Sequence, residues 1–119
     1  MATHSPVAIP RGAAPLFHSL SDPTRLAIIA VLAHGEHSVK ELVEEVGLAQ
    51  STVSAHIACL KGCGLVAGRP QGRQMLYSLA CPNVLDLLAS AEKVLWATGY
   101  QADECPDAWA EEHSATTAK

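Results

Sequence analysis

Gly47 sits between two helical patterns and leaves almost no chain to connect them. Before it, Val39, Leu42, Val43 and Val46 recur at the spacing of one helix face, and glycine readily takes the left-handed conformation that closes a helix. After it, Leu48-Ala49-Gln50 is a tight turn into a second helical stretch running from Gln50 to Leu65. Two short helices joined this closely must cross each other. That pattern is the helix-turn-helix, whose second helix enters the major groove of DNA.

At about 100° per residue the second helix resolves into three faces. Val53, Ile57 and Leu60 follow the i, i+4, i+7 spacing of a core stripe. Ser51, Ser54, Ala55 and Ala58 lie opposite, small enough to approach a groove closely and to offer hydroxyls to phosphates or base edges. Gln50, Thr52, His56 and Lys61 join Ser51, Ser54 and Ala55 as candidate DNA contacts. Cys59 and Cys63 are four apart, so both sulfurs project from one flank, together with Thr52 and His56. Free cysteine often packs as a small apolar side chain. Here the off-core flank and a further cysteine, Cys105, in an otherwise polar tail favour a shared ligand. Gly62 and Gly64 are expected to end the helix.

The rest of the chain supports this pair. Residues 1–15, with prolines at 6, 10 and 15, read as a flexible arm leading to the apolar segment Leu16–Leu20. Ser21-Asp22-Pro23 is a helix start, and Leu26, Ile29, Ala30 and Ala33 continue a core pattern up to Gly35. His37-Ser38-Val39 reads as a short strand. Leu65–Arg69 and Gln74–Leu79, joined through Pro70-Gln71-Gly72-Arg73, predict a hairpin wing with Arg69 and Arg73 at its tip, suited to phosphate contacts. Pro82 precedes a helix over Asn83–Thr98, whose stripe of Val84, Leu87, Leu88, Ala91, Val94 and Leu95 suits pairing with a second copy. Residues 99–119 are acidic and weakly patterned and read as a flexible tail. The domain proper is therefore 16–98.

A chain of 119 residues with 49% hydrophobic content is expected to form one domain. It shows no signal peptide and no apolar run near the roughly 18 residues of a membrane span, so a cytoplasmic protein with no membrane partner is expected. In that compartment its four cysteines are thiols or metal ligands rather than disulfides. The net charge of −4 argues against a nucleic-acid binder until it is divided along the chain. Residues 51–80 hold Lys61, Arg69 and Arg73 and no acid, while both flanking segments are net negative. Positive charge confined to one segment is a localised DNA footprint. No phosphate loop, paired catalytic carboxylates or activated nucleophile is present, so neither an enzyme nor a small organic substrate is expected.

Ser21-Asp22-Pro23-Thr24-Arg25-Leu26, Glu41-Leu42 with Gly47-Leu48, Ser51-Thr52-Val53-Ser54 with His56, and Gly64-Leu65-Val66 followed by Gly72-Arg73 and Tyr77 resemble the ArsR/SmtB family of metal-sensing repressors. The likeness covers about residues 16 to 98. It implies a mainly α fold with a small β-hairpin wing, a winged helix-turn-helix forming a homodimer through its first and last helices. It also implies that the dimer holds operator DNA when metal-free and leaves it when metal binds. Ala58-Cys59-Leu60-Lys61-Gly62-Cys63-Gly64-Leu65-Val66 with a tail cysteine is similar to the cadmium- and lead-sensing CmtR type. There two recognition-helix cysteines and one tail cysteine form a trithiolate, and the matching positions are Cys59, Cys63 and Cys105. The resemblance places His56 on the structural or DNA side rather than among the ligands. Cys81, at the junction of wing and last helix, reads as structural, and the histidines at 4, 18, 34, 37 and 113 show no ligand spacing.

Departures narrow the implication. Glu41-Leu42-Val43-Glu44-Glu45-Val46 lacks the family's Cys-x-Cys pair. Asp86 is followed by Leu87 and Leu88 instead of completing the Asp-x-His pair of the zinc-type site. Ala49 stands where many members carry a capping Ser or Thr. Thiolates favour soft ions in general; the resemblance to the CmtR type implies Cd(II) or Pb(II) as the signal, with Hg(II), As(III) and Zn(II) as alternatives. A regulator that responds to thiol oxidation or another ligand is the competing class.

Overall fold

A computed structural model describes residues 8–99, in two compact units, residues up to Leu79 and from Ala80 onward. The first unit opens with α1 (Ala13–Ser19), which begins before the expected apolar segment and so includes the last residues of the expected arm. Asp22 caps α2 (Pro23–Leu32), its Oδ1 accepting from the Thr24 and Arg25 backbone N–H groups at 2.7 and 3.2 Å, while Pro23 takes the first helical position. The expected core stripe of α2 is rotated. Ile28, Ile29 and Leu32 are buried, Leu26 is half-buried, and Ala30 and Ala33 face outward. Burying the larger side chains removes more apolar surface from water than burying alanines on the adjacent face.

A capping box that the sequence reading missed starts α3 (Val39–Val46). Ser38 Oγ accepts from the Glu41 N–H at 3.1 Å, and Glu41 Oε1 accepts from the Ser38 N–H at 2.9 Å. Gly47 closes α3 at φ 74°, as its position in the sequence required. The next helix, α4 (Gln50–Gly62), starts without any side-chain cap, since Ala49 has none to offer. Val53, Ile57 and Leu60 are buried, as their spacing predicted. α2, α3 and α4 pack on one another around Ile28, Ile29, Leu42, Val53 and Leu60.

The wing is a three-stranded antiparallel sheet in the order β1 (His37–Ser38), β3 (Gln74–Leu79), β2 (Val66–Gln71). The hairpin extends beyond the expected turn: Gln71 pairs with Gln74, so only Gly72 and Arg73 form the turn, with Gly72 at φ 64°. Pro70 is tolerated because β2 is an edge strand, where its missing N–H breaks no ladder bond. Arg69, opposite Leu76, therefore lies within the strand and not at the tip.

In the second unit, α5 (Asn83–Thr98) has the bounds its sequence predicted, ending at Gly99 with φ 71°. Along its C-terminal half Val94, Leu95 and Trp96 are exposed, at 60%, 46% and 76%. None of the described helices is long and apolar enough to cross a membrane.

Candidate DNA surface and thiol pair

The surface of α4 divides as its periodicity implied. Gln50, Ser51, Thr52, Ala55 and Ala58 are exposed, and Ser54 is half-buried. Lys61 is exposed, its Nζ 5.9 Å from the centre of the Tyr77 ring on β3, so the end of the helix and the base of the wing share one cation. Arg73 is exposed at the hairpin turn.

Arg69 is engaged elsewhere. Its Nε and Nη2 donate to Glu36 Oε2 and Oε1 at 2.7 and 2.8 Å, a bidentate pair on the surface. The hydrogen bonds from Arg69 hold the Glu36 carboxyl below its ordinary value of 4.5, and those same bonds raise Arg69 above its own. The positive segment counted along the chain is thus partly neutralised by an acid 33 positions away.

The flank carrying the cysteines leans on the end of α1 and the start of α2. His56 Nε2 lies 3.9 Å from Asp22 Oδ1, which places His56 beside the α2 cap. Arg25 Nη1 donates to Cys59 Sγ at 3.5 Å, and the Ser19 hydroxyl shares a hydrogen bond with Cys63 Sγ at 2.7 Å. Arg25 also ties the two contacts together, donating through Nε to the Ser19 carbonyl at 2.7 Å and through Nη2 to that of His18 at 3.4 Å.

Cys63 owes its position to the way α4 ends. It is the C-cap, followed by Gly64 at φ 78°. The Gly64 N–H donates to the Lys61 carbonyl at 2.9 Å and that of Leu65 to Leu60 at 3.0 Å, the two bonds of a Schellman motif, with Leu60 and Leu65 both buried. Cys59 is half-buried and Cys63 exposed, so neither is the fully buried filler that free cysteine often is.

The sequence reading did not anticipate Ser19 or Arg25 at the thiols. Their partners lie 44 and 34 positions away, and no local pattern announces such a contact. Among the described residues no cluster of three or more His, Cys, Asp or Glu side chains is set to hold a metal, and Cys105 lies outside them. The two cysteine sulfurs are soft donors of the kind thiophilic ions favour. Cys81, half-buried at the start of α5, has its thiol 3.9 Å from Asn83 Oδ1.

Residues 22–67 match the bacterial regulatory protein family described as arsR. A probable mercury resistance operon repressor from Streptomyces lividans is 38% identical over 100 residues, covering 84% of this chain and 79% of its own. The chain belongs to the ArsR family. The regulator CmtR of Mycobacterium bovis is 39% identical over 82 residues, covering 69% of this chain and 70% of that protein. Among solved structures, the fold is similar to the homodimeric winged helix-turn-helix DNA-binding domain of Mb0332 from Mycobacterium bovis. That match has a TM-score of 0.61 and 33% identity, and covers 79% of this chain and 89% of the other. This ArsR-family protein is accordingly a winged-helix transcriptional repressor. Its relatives are DNA-binding regulators and not enzymes.

Proposed function

We propose that the chain acts in the cytoplasm as a homodimeric repressor that holds operator DNA when metal-free and releases it when Cys59, Cys63 and Cys105 capture a soft metal ion. The observation that carries this reading is that both thiols of the recognition helix converge on a single junction, the end of α1 and the start of α2, through Ser19 and Arg25. The dimer forms through α1 and α5, in keeping with exposed Phe17 on α1 and Val94, Leu95 and Trp96 on α5. Two recognition helices then sit about one DNA turn apart in successive major grooves. Gln50, Ser51, Thr52, Ser54 and Ala55 face the groove, with His56 at the margin and Lys61, Arg69 and Arg73 directed to phosphates.

A thiophilic ion supplies a point at which three thiolates are drawn together. For Cys63 to join it, the contact with Ser19 must open or re-aim, so the rest of the chain senses the ion through the α1–α2 junction. The ion expels DNA only to the extent that it binds the DNA-free arrangement more tightly. Ligation by thiolates displaces protons, so the affinity for a divalent ion falls as pH falls.

Cd(II) or Pb(II) is the ion favoured by the likeness of the cysteine pattern to the cadmium- and lead-sensing CmtR type. Hg(II) is the second reading, favoured by the name of the Streptomyces relative. The test is operator release on adding cadmium, measured for the wild type and for Cys59→Ser, Cys63→Ser and Cys105→Ser. Release by the wild type and retention by all three variants is expected. Release by every variant would sink the proposal.

A further inference from the structure

Where the outer face of α4 meets the start of α3 and strand β3, the first unit opens a cleft of about 260 Å³ lined by Val39, Ser54, Ile57, Ala58, Lys61 and Tyr77. Val39, Ile57 and Ala58 give it apolar walls, and the other three bring one cation and two hydroxyls. Among the described residues no carboxylate lies within ion-pair distance of Lys61, whose ammonium instead stands 5.9 Å from the centre of the Tyr77 ring. The Ser54 and Tyr77 hydroxyls make no hydrogen bond within the described residues, and neither is sealed from solvent.

Tyr77 is placed there by what its neighbour lacks. Gly68 is its partner across the β2–β3 ladder, and a Cβ at Gly68 would come within 2.8 Å of Tyr77 Cε1. The ring lies over the bare strand, a use of a strand glycine that lets an aromatic side chain approach closely. β3 is the central strand, with His37 of β1 opposite Tyr77 on its other side, so the ring has a firm mount. This packing needs a ring and no hydroxyl, which leaves the hydroxyl open to a ligand.

We propose that this cleft seats one sugar-phosphate strand of the operator, with Tyr77 Oη and Lys61 Nζ on the same phosphate in each half-site. This rests on α4 entering the major groove, and it names the contact between helix and wing that such docking leaves open. The two grooves of a duplex are separated by one backbone strand. With α4 in the major groove and the wing turned to its neighbour, that strand crosses the interval between them, where the cleft lies. Ser54 and Ala58 line the cleft and also belong to the outer face of α4, so the two surfaces are continuous. The open charge is positive, the open hydroxyls suit phosphate oxygens, and the apolar walls suit the hydrocarbon face of a deoxyribose. Tyr77 then touches no base. It fixes where α4 sits along the groove and adds affinity on any sequence.

The experiment uses the metal-free full chain and labelled duplexes in fluorescence anisotropy. The duplexes are the operator, an unrelated sequence, and operators with one neutral methylphosphonate per half-site at successive backbone positions. Tyr77→Phe, which keeps the ring over Gly68, is expected to bind both sequences about tenfold more weakly per half-site, the effect of losing a hydrogen bond to a charged group. Its salt slope should match wild type, whereas Lys61→Gln should lower that slope by about 0.9 per half-site. At one methylphosphonate position the wild type should weaken and the difference between it and Tyr77→Phe should vanish. Wild-type affinity in Tyr77→Phe overturns the inference. So does a loss confined to the operator sequence, which would put the hydroxyl on a base, and so does a difference that persists on every neutralised duplex. Gln50→Ala and Ser51→Ala, run on the operator and the unrelated duplex, test the helix separately. Full preference for the operator in both would take α4 out of the groove and defeat the inference with it.

Discussion

Replacing Glu36 by Gln should tighten operator binding, although it removes an ion pair and touches no DNA contact. In the free protein Arg69 donates two hydrogen bonds, at 2.7 and 2.8 Å, to the Glu36 carboxylate. A phosphate oxygen needs those same donors, so DNA must displace Glu36 and then tolerate its charge beside the backbone. The pair is on the surface, with side-chain exposures of 56% for Arg69 and 35% for Glu36, so its strength is that of a screened pair. Glu36→Gln keeps the shape and one weaker acceptor. The expected gain is about two- to fivefold per wing at low salt, the range a solvent-exposed pair allows. Arg69→Gln provides the opposite control: it removes one phosphate contact per wing, and each is worth about 0.9 in the slope of log affinity against log salt, so a dimer should lose close to two. Fluorescence anisotropy with labelled operator, titrated across salt, reads both effects. An unchanged or weaker affinity in Glu36→Gln, with stability intact, would show that Glu36 aims the wing and does not compete with DNA.

The sign of the pH effect follows from the same pair. Arg69 holds the Glu36 carboxyl below its ordinary 4.5, so the pair contributes fully above that range and is lost only as pH falls through the lowered value. Wild type and Glu36→Gln should therefore keep a constant affinity ratio from pH 6 to 8. Ser38→Ala removes one half of the capping box of α3 and is expected to cost about 1 kcal/mol in urea unfolding. Two neighbouring glycines should respond in opposite directions. An added Cβ meets nothing within 4 Å at either Gly62 or Gly64, but only Gly64 has positive φ, at 78°. Gly62→Ala lies within α4 and is expected to stabilise by about 0.5–1 kcal/mol, whereas Gly64→Ala should destabilise by about 1 kcal/mol and shift Cys63 with the helix end. Equal effects at both sites would mean that the Schellman ending is not what sets the geometry there.

Much of the fold was legible because its signals are local. The bounds of α5, the stop at Gly47, the cap at Asp22 and the buried face of α4 each follow from residues within a turn or two of one another. The capping box at Ser38 and Glu41 was equally local and could have been read from its Ser-x-x-Glu spacing. The α2 stripe went astray because Leu26, Ile29, Ala30 and Ala33 and the true set of Ile28, Ile29 and Leu32 are both at helical spacing. Periodicity alone does not say which of two overlapping faces meets the core; the larger side chains decide it.

What the sequence did not disclose is what crosses between distant segments, and these contacts bear most on how α4 could serve metal and DNA at once. The positive segment looked unopposed because Glu36 is remote in sequence, yet the β1–β3–β2 sheet brings it to Arg69. The cysteine flank likewise looked self-contained, while Ser19 and Arg25 hold it to the α1–α2 junction. Val53, Ile57 and Leu60 anchor the body of α4 in the core, so a ligand at Cys59 and Cys63 cannot easily bend the helix itself. A signal from those thiols then has a softer route, through the contacts of α1 and α2 with the helix flank. α1 is also the proposed dimer helix, so a shift there would alter the spacing of two recognition helices without reshaping either. Under this argument Ser19→Ala should leave operator affinity of the metal-free protein near wild type and weaken the coupling between cadmium and DNA, measured as the ratio of operator affinities with and without the ion. A coupling ratio unchanged in Ser19→Ala would place the route elsewhere.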